Sequence, residues 1–349
     1  MTPPTGPGRR RLLRLATAGL LCAAALTGCV GTGGDAPGDD SRATGSGAPG
    51  LRVGVAPNVV LDAVTSGLRT DGALAAAAGP VTFTELRGPD EIRTRLTSGS
   101  VDVLTLPANI AANLHSRGVD VRVLGVVDGP SDVLLGPASK PASWSSLRGA
   151  TVHIPFKGDV NDVVFRRLAE RNGLKPGEDL TIVHHPALPD LLTAVGSGRA
   201  EYALLPEHQA TLAAGAAARA GTPRRPVLDL GGEWRRTTGQ TGYPTYAVGV
   251  RGAYADRHPA LVKEVDRALR ASAKAAPAPP REVTAGIAGR TKVPPATVAD
   301  LLERLSPGYR PASAARAELD ALFRELATAA PALLGGRVPD AGLYAAPSA

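Results

Sequence analysis

Apolar and polar positions fall into three regimes along this chain. Residues 15–26 (LATAGLLCAAAL) form a short apolar stretch preceded by Arg9, Arg10, Arg11 and Arg14. At about a dozen residues it is shorter than the roughly 20 that a membrane-spanning helix needs, so it reads as an export leader rather than an anchor. Residues 30–50 (VGTGGDAPGDDSRATGSGAPG) have no apolar periodicity and consist mainly of Gly, Ser, Thr, Pro and Asp, the composition of a flexible tether. From Leu51 the pattern becomes that of a folded body. Apolar runs of strand length alternate with stretches whose apolar residues recur every three or four positions.

Leu51-Arg52-Val53-Gly54-Val55 alternates as a strand, and Leu61, Val64 and Leu68 follow at helical spacing. Next come a strand over 81–85, a helix over 89–98 with Ile92 and Leu96 on one face, and a buried strand over 101–106, after which Pro107 opens a helix at its first position. Further strands are predicted at 121–127, 132–135, 151–155, 180–184, 202–205, 227–230 and 245–250. Helices are predicted at 160–172, 189–197, 207–214 and 259–275, and the tail after Pro294 reads as almost entirely helical. Strands alternating with helices predict an α/β body of mostly parallel sheets with helices on both faces.

Composition narrows the function classes. Of the two cysteines, Cys22 lies in the leader and Cys29 just behind it, which leaves the folded body without a disulfide, a thiol nucleophile or a cysteine-ligated metal. The net charge of +7 includes the four leader arginines and no acid before Cys29, so the remainder carries +3, and its basic residues form no stripe and no aromatic-interleaved patch. That argues against nucleic acid as a partner. The 41 glycines and 31 prolines make up about a fifth of the chain, below the range that marks wholesale disorder.

Two resemblances sharpen this reading. Leu26-Thr27-Gly28-Cys29 resembles the lipobox of bacterial lipoproteins, which implies cleavage before Cys29 and lipid on its sulfur and amine. The Arg9-Arg10-Arg11-Leu12-Leu13-Arg14 run also resembles a twin-arginine export signal, so both that route and ordinary secretion stay open. Within the body, Ser98-Gly99-Ser100-Val101-Asp102-Val103, the segment from Trp144 to Val152 (WSSLRGATV), the segment from Gly198 to Glu207 (GRAEYALLPE) and His258-Pro259-Ala260-Leu261-Val262 occur in order. Together they resemble the solute-binding proteins of nitrate, sulfonate and taurine-type ABC importers. That resemblance implies the type 2 periplasmic-binding fold, with two α/β lobes, two hinge crossings and a ligand held between them. The implied parts are a signal peptide at 1–28, a tether at 29–50 bearing lipidated Cys29, a first lobe at 51–135 plus 245–349 and a second at 136–244, with closure about the hinge as the working motion.

In open α/β sheets ligands lie beyond the carboxyl ends of strands, where helix N-termini present free N–H groups. The loops that meet this condition hold Pro57 and Asn58, then Pro107, Ala108 and Asn109, then Lys157, Gly158, Asp159 and Asn161. Asn58, Asn109 and Asp159 suit a helix cap, a ligand contact or both. Lys157 suits an anion held by charge and backbone together, or equally a solvated loop. No arginine directly follows a first-lobe strand, so an anionic solute is permitted and not required. Glu207 suits either acceptance of hydrogen bonds from an amine or hydroxyl or capping of the next helix. Tyr243 and Thr245 lie at the second crossing, where a tyrosine either stacks on a ligand or packs in the core. His184 and His185 are adjacent in a strand and face opposite ways, which argues against a shared metal. The Arg224-Arg225 and Arg235-Arg236 pairs read as solvated surface.

These residues describe a membrane-tethered, extracytoplasmic, monomeric receptor for a small solute, with no catalytic residues, cofactor or metal. Its partners are an ABC permease and a separate ATPase, because the chain has no Walker A pattern. A solute-sensing lipoprotein for a signalling partner is the alternative, and an enzyme on the same fold is a third class.

Overall fold

The computed structural model of the protein describes residues 48–129, 132–240 and 242–345, so the predicted leader, Cys29 and all but the end of the tether lie outside the described residues. The first half of the body runs β1 (Leu51–Val55), α1 (Val59–Val64), α2 (Gly67–Thr70), α3 (Gly72–Ala78), β2 (Val81–Glu85), α4 (Pro89–Thr97), β3 (Val103–Pro107), α5 (Ala108–Ser116) and β4 (Val121–Asp128). There follow β5 (Asp132–Pro137), β6 (Thr151–Pro155), α6 (Val160–Arg171), β7 (Thr181–His185), α7 (Leu188–Gly196), β8 (Tyr202–Pro206), α8 (Glu207–Arg219), β9 (Arg224–Asp229) and α9 (Leu230–Thr238). The chain ends with β10 (Tyr246–Arg251), α10 (Gly252–Arg257), α11 (Pro259–Ala275), α12 (Arg281–Thr291), α13 (Pro295–Leu305), β11 (Gly308–Pro311) and α14 (Ala312–Ala329).

The strands build two sheets, one per lobe, in the orders β11-β4-β10-β3-β1-β2 and β7-β6-β8-β5-β9. Most strands of each sheet run one way. The exceptions are β10 and β11 in the first sheet and β5 in the second. β10 and β5 are the strands that enter from the opposite lobe, and each carries a register shift, at Val248/Gly249 and at Leu134/Leu135. Such bulges bend and twist a strand locally.

Apart from β11, the sheets share one plan, with β2, β1, β3, β10 and β4 corresponding in order to β7, β6, β8, β5 and β9. The correspondence extends to register: Tyr246 at the start of β10 lies opposite Pro107, and Asp132 at the start of β5 lies opposite Pro206.

The lobes also share apolar packing. One buried cluster takes in Leu104 and Leu106 of the first sheet, Ile154 and Leu204 of the second, and Leu319 and Phe323 of α14. α14 lies on β4 and β11 and reaches α6, where Glu325 pairs with Arg167 at 3.2 Å and Arg171 at 2.5 Å. Each large side chain buried in this layer stabilises the joint by roughly 1.5–3 kcal/mol.

Several local expectations need correction. β5 belongs to the second sheet from its first residue, so the first change of sheet falls between Asp128 and Asp132, ahead of the predicted boundary at residue 135. Pro107 ends β3 and caps α5 instead of opening it, with ψ 137 in the extended range. The segment expected as a strand to residue 230 turns at Asp229, whose side chain accepts from Gly231 N and starts α9. The helical tail is interrupted by β11, an edge strand on β4. β11 approaches closely because Gly125 has no side chain: a Cβ there would lie 2.5 Å from Arg310 O and from the Tyr309 ring.

Candidate ligand-binding cleft

A cleft of about 570 Å³ opens between the sheets and is lined from both. Its walls are the carboxyl ends of β1, β3, β4, β6 and β8 together with the first residues of β5 and β10, which start at the cleft because those strands run in reverse.

On the first-lobe side Asn58 caps α1, its Oδ1 accepting from Val60 N at 2.9 Å and Leu61 N at 3.2 Å. Its Nδ2 points across the cleft to His208 Nε2 at 3.2 Å. Burial pulls the His208 pKa down to about 4, so the ring is neutral and its Nε2 accepts that bond. Asn109 lies in the wall, 2% exposed, and its Oδ1 has no hydrogen-bond partner among the described residues. Arg310 of β11 is held between Asp128, at 2.6 and 2.9 Å, and Glu318 of α14, at 3.0 and 2.6 Å.

On the second-lobe side Asp159 caps α6, accepting from Val160 N at 2.7 Å. Burial, partly offset by that bond, raises its pKa. Asp132, 4% exposed, sits at the head of an otherwise apolar strand. Burial and then the charge of Asp159 push its pKa up to about 7. Tyr243 donates to Asp132 Oδ2 at 3.4 Å and packs on Trp234 with ring centroids 5.5 Å apart. Tyr246 lies close enough to both carboxylates that burial and their charges raise its pKa to about 12.

Of the residues singled out from sequence, Asn58, Pro107, Asn109, Asp159, Asn161, Tyr243 and Thr245 line the cleft, whereas Pro57, Ala108, Lys157, Gly158 and Glu207 do not. Lys157 is exposed on a loop that Phe156, at φ 56°, and Gly158, at φ 74°, turn tightly, so the loop offers Asp159 and Asn161 to the cleft instead. Glu207 is taken by an ion pair with Arg304 of α13, and Arg304 also donates to Thr211 Oγ1 at 2.6 Å. These contacts tie α8 of one lobe to α13 of the other. Arg235, read as solvated surface, is exposed and also contributes to the cleft lining, 3.7 Å from Asp229.

Asp132 escaped the sequence reading because it was taken only as the start of a strand, although a carboxylate ahead of Val133-Leu134-Leu135 is a signal in itself. Arg310 and Glu318 escaped because their segment read as helix. His184 bonds Asp162 at 3.0 Å and His185 bonds His153 at 2.9 Å, so the neighbours do face different partners. Among the described residues no group of three or more His, Cys, Asp or Glu side chains is placed to hold a metal, and no helix is long and apolar enough to cross a membrane.

No protein-family profile matches the chain, and no curated protein matches it in sequence. Solved structures match its fold. One is an ABC transporter protein from Parabacteroides distasonis, with TM-score 0.68 and 20% identity over 85% of this chain and 99% of that one. Another is the periplasmic aliphatic sulphonate binding protein SsuA from Escherichia coli, with TM-score 0.68 and 16% identity over 86% and 94%. A third is the alkanesulfonate-binding protein SsuA from Xanthomonas axonopodis pv. citri bound to MOPS, with TM-score 0.61 and 18% identity over 85% and 98%. The chain therefore has the two-lobed α/β fold of these binding proteins.

Proposed function

We propose that this protein is an extracytoplasmic receptor that captures a small solute between its lobes and delivers it to the permease of an ABC importer. The observation that carries this reading is the interlobe cleft of about 570 Å³, within the size range of small-molecule sites, walled by side chains from both sheets. Asn109 Oδ1, buried and without a partner among the described residues, supports the same reading, because an orphan acceptor is costly unless something donates to it. The sharing of the fold with binding components of import systems agrees with it.

In this reading Asn58, Asn109, Asp159, Asn161, Tyr243 and Thr245 contact the solute, and closure is held by the Asn58–His208 and Glu207–Arg304 contacts. The cleft binds without turnover, in keeping with the binding proteins whose fold it shares. The protein acts as a monomer held at the extracytoplasmic face of the cell membrane by lipid on Cys29, and the ATPase is a separate chain.

The test is native mass spectrometry of the full chain after exposure to a deproteinised small-molecule extract of the producing cells. Retention of one small molecule per protein, released on unfolding, is the expected result. A spectrum with the bare protein mass alone would overturn the proposal, as would loss of the molecule without any change in its uptake when the gene is deleted. Mass spectrometry of the membrane fraction tests the anchor, which predicts a lipid-modified Cys29 at the mature N-terminus.

A further inference from the structure

The charges in the cleft do not suit an anion. Four carboxylates line it, Asp128, Asp132, Asp159 and Glu318, against two arginines. Arg310 is engaged by Asp128 and Glu318, and Arg235 pairs with Asp229, which is outside the lining. Lys157, the one cation that sequence placed at a strand end, is outside it too. Asp132 and Asp159 are therefore left with no Lys, Arg or His within ion-pair distance among the described residues. They come from different elements, the head of β5 and the cap of α6, and converge on the same cavity.

A second, independent feature points the same way. Asn109 enters from the opposite lobe, is buried, and its Oδ1 has no donor among the described residues. Asn109, Asp132 and Asp159 thus line one cavity with acceptor oxygens that no Lys or Arg among the described residues pairs with. A sulfonate or nitrate, acceptor only and negative, would donate to none of the three and would add like charge. An ammonium or guanidinium carries several N–H donors and a positive charge, and so satisfies them together.

We infer that the solute is a small organic cation, an amine or guanidine, whose charged head sits between Asp132 and Asp159 and donates to Asn109 Oδ1. This rests on the receptor reading above and specifies its solute class. It also separates this protein from the anion specificity named for the sulphonate-binding proteins that share its fold.

The test uses size-matched probes: butylamine, butylguanidine, benzylamine, butanol, benzyl alcohol, butanesulfonate and benzenesulfonate. Each is titrated into the full chain by calorimetry at pH 8. The expected result is that each cation binds at least tenfold more tightly than the alcohol of its size and that neither sulfonate binds. Asp132→Asn and Asp159→Asn, measured separately, each weaken cation binding at least tenfold while thermal unfolding shows the variant folded. Because the two carboxylates lie on different elements, one variant suffices if the other fails to fold.

A sulfonate that binds as tightly as its matching amine overturns the inference. So does the absence of binding by every cation, and so does cation binding that both substitutions leave unchanged. A natural solute retained in the mass-spectrometric test but found neutral or anionic overturns this inference alone. Retention of no solute overturns the receptor reading beneath it.

Discussion

The two lobes present the same three backbone positions to the cleft and fill them differently. After the first strand of each plan stands a helix cap, Asn58 in one lobe and Asp159 in the other. One residue into the helix after the Pro-ended second strand stands Asn109 in one and His208 in the other. At the head of the reversed strand, in identical register, stand Tyr246 and Asp132. The first lobe thus puts three uncharged groups where the second puts two carboxylates and a neutral imidazole. Only the first lobe has the extra strand β11, whose Arg310 pairs with both Asp128 and Glu318. In the proposed reading the scaffold sets where a solute is touched, and the side chains of one half set its charge.

The largest expected effect comes from erasing the charge at the reversed-strand position. Burial and Asp159 raise the Asp132 pKa from its ordinary 3.8 to about 7. A carboxyl group raised in the folded state binds its proton more tightly there, so the empty protein loses stability as pH climbs from about 4 to 7, and the loss is complete above 7. At about 1.4 kcal/mol per pH unit, Asp132→Asn should stabilise the ligand-free protein by roughly 4 kcal/mol at pH 8 and hardly at all at pH 4. Denaturant unfolding at the two pH values checks this, and equal shifts at both would show that Asp132 carries no buried charge.

Next in size is removal of the cation that only the first lobe has. Arg310→Met removes the cation that Asp128 and Glu318 share, and should cost about 2 kcal/mol. The same substitution should make the first-lobe wall more negative and raise affinity for cationic probes. Thermal unfolding and calorimetry read the two consequences separately.

Matched cap deletions compare the lobes directly. Asn58→Ala and Asp159→Ala each remove an N-cap and should each cost about 1 kcal/mol, measurable by denaturant unfolding. They should differ in binding: the first loses the contact to His208 and weakens closure, whereas the second loses the charge and with it discrimination among probes.

The smallest stability effect is expected at the rim. Arg304→Ala breaks the pair with half-exposed Glu207 and should cost under about 1 kcal/mol, yet small-angle scattering should show a larger radius of gyration for the empty protein. An unchanged radius would mean that this pair does not hold the lobes together.

Much of this architecture was legible in the chain. Strand and helix patterning is a local property, since alternation and three-to-four spacing record which face of an element is buried. Strands such as Val103–Pro107 and Tyr202–Pro206 were therefore visible as apolar runs, and the polar residues just after them, Asn58, Asn109 and Asp159, as strand-end positions. The leader and most of the tether, expected from charge and composition, lie outside the described residues. What depends on pairing between distant segments was hidden. β11 is four residues long and exists because it lies on β4 some 180 positions earlier, with Gly125 making room for it. The exclusion of Lys157 from the cleft, the capture of Glu207 by Arg304 and the lack of a cation beside Asp132 among the described residues follow from where side chains remote in sequence end up. The sequence alone determined the elements, their order and the strand ends where a solute would meet them, because those rest on local periodicity. Tertiary structure alone decided which charges cancel and which stand open, because electrostatic pairing acts through space and is blind to separation along the chain.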